Sequence, residues 1–582
     1  MKLKHWVLLL TFSFLLFTLQ GCFILGIHTK VKNAKHAGKY PEFTEAKKLL
    51  GNPNTKYRTC YDVKHYNLNV YVDEKKKYLK GNVTITANAV SGFDTLQIDL
   101  YQNMKVNGIG FASLNSIQEK DTKFINTSYT RRQGAIFIPF KQKAGEIFKI
   151  NIDYEGSPVE AKKPPWKGGF VWKKDKEKNP WIGVACESDG ASLWWPCKDV
   201  NNDEPDSVSI TIQCSKNLTA VSNGKFMGKQ SMDDINYYSW RVSYPINPYD
   251  VTLYIGNFKL LADSMKSSVS GEMLPINYYV LPYNYEKAKT HFQQAKTYLS
   301  FYEKTFGTYP WYRDSYKLIE SPYAGMEHQS AIAYGNGYKN NKGLGFDYIV
   351  LHETAHEWWG NGVTASDFAD VWLQEGFATY SEALYVESKF GKSSYLRYML
   401  FYRLFIKNKW PVCGPRDVRY FYYKNSDCYQ KGAWVLHTLR TQLNNDSVFF
   451  DIIKTFQAKF RYKTCTSQDF IDVVNEKTND EYAWFFKQYL YKREAPILEY
   501  YWDGQKFYYR WDKVDADFKM PVEIMLDNSL KITLYPKKSD NLVQITPISR
   551  DTYKAISFDN IMRLYGVREN KKLRKMGKII SE

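Results

Sequence analysis

Cysteine is scarce in this sequence, and the few cysteines stand far apart. There are eight in 582 residues. Setting aside Cys22, which ends an N-terminal apolar segment, leaves an odd number without a CxxC pair. This pattern excludes a disulfide-framework protein and a cysteine-rich zinc module. One or two bridges stay compatible with an oxidising compartment, and their short separation makes Cys413 and Cys428 the favoured pair.

Acidic residues are too few to balance the basic ones. The chain has 80 Lys and Arg against 61 Asp and Glu, a formal charge of +19, which suits nucleic-acid binding, an anionic membrane surface or simple solubility. The lysines are scattered and no nucleic-acid module is visible, so we favour solubility and predict no nucleic-acid partner. Residues 561–582 are interpreted as a solvated basic tail, with contact to anionic lipid as the alternative.

The N-terminus carries one short apolar segment. Lys2 and Lys4 precede an apolar run from Trp6 to Leu19, which is too short for a comfortable transmembrane helix. The following Leu-Gln-Gly-Cys ends at Cys22 and resembles a bacterial lipoprotein signal, whose cysteine is lipidated. This predicts a bacterial cell-envelope protein with a lipid anchor in a membrane, facing the periplasm or the exterior. A plain secretory signal or a membrane anchor is the alternative.

Histidine is also scarce, yet two of the nine histidines stand four residues apart in His352-Glu353-Thr354-Ala355-His356. Residues four apart on a helix share a face, so both imidazoles can bind one cation. Glu375 follows after eighteen intervening residues, and two His plus one Glu form a common ligand set of hydrolytic zinc sites. Glu353 lies beside the ligands and suits a general base. The motif predicts one Zn²⁺ per chain.

Local signals place both halves of the motif on helices. Asp347 can cap the first helix, and Gly360-Asn361-Gly362 can end it. A second helix is predicted to start near Asp370, to carry Glu375 in its first turns and to stop at Gly391. Asp370 is interpreted either as a helix cap or as the partner that orients a zinc-binding histidine.

The rest of the chain divides by its periodicity, and it contains no internal repeat and no long low-complexity segment. Alternating apolar and polar residues predict antiparallel strands up to about Leu261, apolar residues three and four apart predict helices from Asn284, and alternation returns at Ile497. The predicted fold class is multidomain α+β. Its parts are a signal at 1–22, a tether at 23–55 with one short helix, a β-rich domain at 56–261, a mainly helical zinc domain at 262–493, a small β domain at 494–560 and the basic tail.

Three further segments accompany the zinc motif. They are Ala324-Gly325-Met326-Glu327-His328, Tyr429-Gln430-Lys431-Gly432, and Cys186-Glu187 ahead of Pro196-Cys197. Together with the zinc residues they resemble the aminopeptidase N family of zinc exopeptidases, and the resemblance extends from about Asp62 to Phe558.

The resemblance implies a role for each segment. Residues 324–328 would form the strand that holds a substrate's free amino group, with help from Glu187, and Tyr429 would stabilise the oxyanion. The domain at 262–493 would be thermolysin-like, and that at 494–560 a small β-sandwich. The large helical C-terminal domain of many relatives is expected to be absent, which would leave a more open cleft.

Two residues depart from the family's Gly-x-Met-Glu-Asn pattern. Ala324 replaces the first glycine and adds a Cβ where the backbone passes near substrate. His328 replaces the asparagine, which changes the hydrogen-bond geometry and adds a group that can titrate.

The sequence therefore predicts a zinc metallo-aminopeptidase that acts on peptides with a free N-terminus. One alternative is a zinc endopeptidase of related fold, which would not require a free amine. The other is a non-catalytic, lipid-anchored binding protein, against which the intact ligands, base and tyrosine argue. The preferred first side chain and the oligomeric state are not predicted.

Overall fold

The structure is a computed structural model that describes residues 31, 33–114, 122–420, 426–504, 506–526, 530–538 and 549–573. The predicted signal with Cys22 and the last part of the predicted basic tail lie outside the described residues. Within the described part of the chain, no helix combines the length and apolar character needed to cross a membrane.

The N-terminal half is a β domain, as its alternating sequence predicts. Its strands are β1 (Tyr61–Asp73), β2 (Tyr78–Ala89), β3 (Phe93–Asp99), β4 (Met104–Leu114), β5 (Ile125–Asn126), β6 (Thr130–Arg132), β7 (Ala135–Gln142), β8 (Ile147–Gly156), β9 (Gly169–Lys174), β10 (Pro180–Ala185), β11 (Ser207–Ser215), β12 (Thr219–Ser222), β13 (Lys225–Met232), β14 (Ile235–Val242) and β15 (Leu253–Gly256). The largest sheet has the order β13-β14-β11-β1-β2-β8-β4-β5. In its centre Leu68 lies opposite both Val83 and Ile210, so alternate residues face one apolar core.

The second half combines a mixed sheet with a group of helices. The strands are β16 (Lys259–Lys266), β17 (Met273–Val280), β18 (Tyr316–Glu320), β19 (Gly325–Met326), β20 (Ile332–Tyr334), β21 (Val363–Ala365) and β22 (Lys463–Cys465). The helices are α3 (Tyr285–His291), α4 (Gln293–Phe306), α5 (Tyr348–His356), α6 (Trp372–Phe390), α7 (Lys392–Arg403), α8 (Gln430–Leu443), α9 (Asp446–Phe460), α10 (Ser467–Thr478) and α11 (Ala483–Leu490), after α1 (Glu45–Gly51) and α2 (Lys56–Thr59) near the N-terminus. The sheet order β16-β17-β18-β20-β19 places the short strand β19 at an edge, next to α5.

A small β domain follows α11. It contains β23 (Ile497–Trp502), β24 (Phe507–Asp512), β25 (Val522–Met525), β26 (Lys531–Leu534), α12 (Arg550–Ala555), β27 (Ser557–Phe558) and β28 (Gly566–Glu569). Two three-stranded sheets, β24-β23-β28 and β26-β25-β27, contribute to the same apolar core as the helices before them.

The predicted basic tail differs from the structure in its described part. β28 pairs parallel with β23, and Arg563 and Leu573 are buried. The basic composition of this segment does not indicate a strand, because the residue that balances the charge of Arg568 lies far away in sequence. Arg568 Nε donates to Glu499 Oε1 at 3.0 Å.

The predicted tether also differs, because its described part packs on the folded body. The Asn33 side chain donates to the carbonyl of Ala495 at 3.1 Å, and the Gly38 N–H donates to the carbonyl of Lys409 at 2.7 Å. The expected short helix is α1, and it buries Leu50.

The favoured disulfide does not form. All seven cysteines in the described residues are buried thiols, and the Cys413 sulfur lies 3.6 Å from Asp370 Oδ1 and 3.5 Å from Ser467 Oγ. The short separation of Cys413 and Cys428 in sequence did not predict a bridge, since packing in the interior places the Cys413 thiol against polar groups on other elements.

Candidate active site

Two helices carry the zinc motif, as predicted. Asp347 caps α5 by accepting the Ile349 N–H at 3.0 Å, and α6 carries Glu375 in its first turn and ends before Gly391. The Nε2 atoms of His352 and His356 lie 3.1 Å apart, and each lies 3.4 Å from Glu375 Oε2. The three predicted ligands therefore converge on one point.

These spacings fit a zinc ion. Four ligand atoms at about 2.0–2.1 Å from a tetrahedral centre lie roughly 3.3 Å from one another, which is close to the separations here. Glu375 Oε2 is buried and has no hydrogen-bond partner among the described residues. Burial alone would raise the pKa of Glu375, but the adjacent imidazoles lower it to about 2, so the carboxylate is charged. A buried carboxylate oxygen facing two imidazole nitrogens is a suitable donor set for Zn²⁺.

The outer nitrogen of each histidine has a partner that fixes the ring. His352 Nδ1 lies 2.7 Å from Glu382 Oε1, and His356 Nδ1 lies 2.8 Å from the carbonyl of Trp359. Such contacts turn each Nε2 lone pair toward the metal position. Sequence reasoning missed Glu382, although it stands seven residues after Glu375 and thus on the same face of α6.

Both interpretations of Asp370 are wrong. Its carboxylate accepts the Ser467 hydroxyl at 2.6 Å and pairs with Arg416 at 2.8 Å. The N-cap position of α6 is Val371, and it makes no side-chain cap. Asp370 lies just before the helix, and its side chain contacts Ser467 of α10 and Arg416, whereas the histidines have other partners.

Glu353 lies beside the ligands, where a base is needed. Glu327, Glu353 and His356 each bring one atom within 4.8 Å of the others. Burial raises the pKa of Glu353 to about 8, with the imidazole of His352 opposing the shift and Glu327 adding to it. The backbone of Gly325 passes so close that a Cβ there would lie 2.4 Å from Glu353 Oε1. Glycine at this position leaves room for the carboxylate.

Glu327 and Glu187 form a buried acidic pair near the ligands, and both are 4% exposed. Burial raises the pKa of Glu187 well above its usual range, and the carboxylates of Glu327 and Glu375 raise it further. Glu187 Oε1 has no hydrogen-bond partner among the described residues. Unpaired buried carboxylates are costly, so this place is suited to a cation that comes with a ligand.

A hydrogen-bonded chain from the β domain positions Glu327. Gln374 donates to the hydroxyl of Tyr249 at 3.0 Å, and that hydroxyl donates to Glu327 Oε1 at 3.3 Å. Asn361 holds the Glu327 carbonyl at 2.7 Å. Neither Tyr249 nor Gln374 was predicted. Tyr249 lies far from Glu327 in sequence, and no local pattern distinguishes Gln374 from other polar residues of a helix.

The two departures from the family pattern have different environments. Ala324 is exposed, whereas Gly325 and Met326 of β19 are buried. His328 is fully buried, and its Nδ1 lies 2.6 Å from the hydroxyl of Tyr254. Burial lowers the pKa of His328 to about 3, so this ring stays neutral near neutral pH. The structure thus gives the His328 side chain a partner inside the protein.

Tyr429 reaches the site because two helices cross at glycines. A Cβ on Gly376 of α6 would lie 3.0 Å from the Cα of Gly432 in α8, so the backbones touch without side chains between them. Tyr429, just before α8, stacks on His352 with ring centroids 6.3 Å apart. Burial raises the pKa of Tyr429 well above its usual value, and Glu375 and Glu187 raise it further, so its hydroxyl remains a donor.

A side pocket that Glu187 helps to line is bounded on one side by the segment that was predicted to be a tether. Gly51 and Pro53 line it together with Tyr249, Phe368 and Arg419, among others. The Arg419 N–H donates to the carbonyl of Lys47 at 3.0 Å, which fixes α1 on this wall.

This fold and site define the class of zinc metallopeptidases that carry their histidines and base on one helix and the third ligand on the next. Comparison with known families agrees. Residues 62–249 match the Peptidase M1 N-terminal domain, and residues 290–489 match the Peptidase family M1 domain. These matches span more than half of the chain, and the protein belongs to peptidase family M1.

Curated relatives are aminopeptidases of distant sequence. Endoplasmic reticulum aminopeptidase 1 of Mus musculus is 27% identical over 350 residues, which cover 56% of this chain and 36% of the relative. Leucyl aminopeptidase of Saccharolobus solfataricus is 21% identical over 427 residues, which cover 68% and 52%. The chain thus spans about half or less of the length of these relatives.

Solved structures share the fold. An M1 zinc metallopeptidase mutant from Deinococcus radiodurans, bound to a Tyr-Ser-Ala substrate, aligns with a TM-score of 0.63 at 18% identity, over 77% of this chain and 98% of that chain. A two-domain M1 zinc metallopeptidase mutant bound to L-tryptophan aligns with a TM-score of 0.62 at 19% identity, over 75% and 95%.

Proposed function

We propose that this protein is a zinc aminopeptidase that removes N-terminal residues from peptides. The observation that carries the proposal is the buried pair Glu187 and Glu327, which lies beside Glu353 and the zinc ligands and has no cation of its own within the described residues. A substrate's terminal ammonium group would supply the missing charge. Held there, it would place the first peptide bond near Glu353.

His352, His356 and Glu375 would hold the zinc ion. When bound, zinc would act as a Lewis acid that polarises the peptide carbonyl and lowers the pKa of a water molecule. Glu353 would take the proton of the attacking water and pass it to the leaving amine. The Tyr429 hydroxyl would donate a hydrogen bond to the carbonyl oxygen as that oxygen becomes negative.

The two alternatives are not favoured. An endopeptidase has no use for a buried acidic pair close to its base, since an internal peptide bond brings no ammonium group. A binding protein without chemistry would not need the converged ligands, the adjacent base and the tyrosine together. The names of the relatives and the substrate complexes of the solved neighbours also support an aminopeptidase.

Metal analysis combined with hydrolysis of a panel of aminoacyl arylamides tests the proposal. We expect about one zinc per chain and release of the arylamine, abolished by a chelator and restored by Zn²⁺. Protein purified without chelator that holds no zinc, or a zinc-loaded protein that cleaves none of the panel, would contradict it.

The Tyr429→Phe variant is expected to lower kcat by about 10²-fold with little change in KM, because the lost hydrogen bond forms mainly in the transition state. Steady-state kinetics on one arylamide give both constants. Tyr395→Phe, which removes a buried hydroxyl bonded to Tyr380 and His437, serves as the matched control. Equal kcat in Tyr429→Phe and wild type would remove Tyr429 from the mechanism.

The Gly325→Ala variant is expected to lower kcat at least ~10-fold, because the new Cβ would displace the Glu353 carboxylate from a position that the base needs. A Cβ at Gly108 of β4 meets no atom within 4 Å, so Gly108→Ala is the control and should behave as wild type. Unchanged kcat in a folded Gly325→Ala protein would show that Glu353 tolerates the shift.

We also propose that the protein is attached to a bacterial cell-envelope membrane through lipid on Cys22 and faces the periplasm or the exterior. The support is the Leu-Gln-Gly-Cys sequence after the apolar run. Only residues 23–32 would separate the anchor from Asn33, which packs on Ala495. Ten residues extend to about 35 Å at most, so the catalytic body would stay near the bilayer surface.

Mass spectrometry of the mature N-terminus tests the anchor. The proposal expects a chain that starts at a lipid-modified Cys22, and a Cys22→Ser variant that no longer partitions into detergent. An unmodified start elsewhere would favour a plain secretory signal, and a retained apolar segment would favour a membrane anchor.

A further inference from the structure

Glu382, the partner of His352, has three hydrogen bonds although it is only 2% exposed. One carboxylate oxygen, Oε1, contacts His352 Nδ1 at 2.7 Å. The other oxygen, Oε2, accepts the hydroxyls of both Tyr398 and Tyr402, the latter at 2.6 Å. Each side of the carboxylate is therefore occupied.

The two tyrosines form a pair built into α7. They stand four residues apart and so share a face of the helix, and their hydroxyl oxygens lie 3.0 Å apart. Glu382 lies on α6, seven residues beyond Glu375. The turn at Gly391, where φ is +80°, joins α6 to α7 and brings the tyrosines against Glu382.

We propose that Tyr398 and Tyr402 are positioning residues that set the zinc affinity of the site through Glu382. This inference rests on the proposed function, because it concerns the same metal site. Neither tyrosine touches substrate or reacting atoms in the mechanism above.

The physical argument starts from the cost of a buried carboxylate. The oxygens of a buried carboxylate need hydrogen-bond donors, and those donors fix the orientation of the group. A fixed Glu382 accepts the hydrogen bond of the His352 Nδ1–H, which leaves Nε2 oriented toward the metal position. Without the two phenol donors, Glu382 would lose its orientation, and the His352 ring would lose the contact that aims it.

Zinc affinity measured by competition with a chromophoric chelator tests this inference on the full protein. Removing outer partners of metal ligands typically weakens metal binding by about 10- to 100-fold. We therefore expect the double variant Tyr398→Phe/Tyr402→Phe to raise the zinc Kd by that factor. Glu382→Gln, which turns one of the two acceptor oxygens into an amide nitrogen, should raise the Kd at least as much.

The matched control is Tyr395→Phe on the same helix, whose hydroxyl bonds Tyr380 and His437. It should leave the zinc Kd unchanged. Circular dichroism checks folding, and if the double variant does not fold, the single variants decide, each with an expected rise of about 3-fold or more.

Folded Tyr398 and Tyr402 variants with the wild-type zinc Kd would overturn the inference, as would an equal loss of affinity in Tyr395→Phe. Zinc binding is measured without substrate. A wild-type protein that binds zinc but cleaves no peptide would thus refute the proposed aminopeptidase activity. The effect of the Tyr398 and Tyr402 variants on the zinc Kd could still be measured.

Discussion

Glu353→Gln is expected to lower kcat about 10³-fold while the zinc content stays at one per chain. Glutamine keeps the size of the side chain but cannot take a proton from water, and a positioned general base contributes about 10² to 10⁴-fold. Glu353 is not a predicted ligand, since the ligand atoms belong to His352, His356 and Glu375. Loss of activity with retained metal would assign Glu353 to proton transfer.

Two controls make this result specific. Glu286→Gln removes an exposed carboxylate on α3 and should leave both kcat and zinc content unchanged. Thermal unfolding of Glu353→Gln should remain cooperative. A variant that keeps most of the wild-type kcat would refute the base assignment, and one that loses its zinc would instead make Glu353 part of the metal site.

Glu327→Ala is expected to lower kcat/KM on free-amine substrates by roughly 30- to several-thousand-fold. Truncating one partner of a buried charge pair typically costs about 2 to 5 kcal/mol, which corresponds to that range. Tyr249 and Asn361 hold Glu327 in place, so the carboxylate is pre-arranged for the ammonium group. Glu187→Gln should give a smaller loss in the same direction, since the Glu327 carboxylate would remain beside the ammonium group.

The control is Tyr249→Phe, which keeps Glu327 but removes the hydroxyl that contacts it at 3.3 Å. Its kcat/KM on free-amine substrates should lie between the values of Glu327→Ala and of wild type. An undiminished kcat/KM in Glu327→Ala would show that the ammonium group binds elsewhere, or that the enzyme does not need one.

Local signals were sufficient for much of the site. His352, His356 and Glu375 could be placed because helical spacing fixes which residues share a face and because Asp347 and Gly391 mark helix ends. Tyr429 and Glu327 required a family resemblance, since nothing in the composition separates one tyrosine or glutamate from the many others.

Contacts between distant segments could not be predicted. Tyr249 meets Glu327 and Gln374 only through the packing of the β domain on α6, which no local pattern encodes. The described part of the tether and strand β28 show the same limit. The tether is polar and β28 is basic, so neither looks like part of the folded body. Their partners lie hundreds of residues away for the tether and tens of residues away for β28. Glu382 is different, since its spacing of seven residues from Glu375 places it on the same face of α6 and can be read from the sequence.

The rate on two peptides that differ only in an N-acetyl group tests the central claim most directly. Both offer the same bonds to Glu353, but only the free peptide carries the ammonium group that Glu187 and Glu327 would hold. We expect release of the first residue from the free peptide and at most about a thousandth of that rate on the acetylated one. Comparable cleavage of the two peptides would contradict an aminopeptidase and favour the endopeptidase.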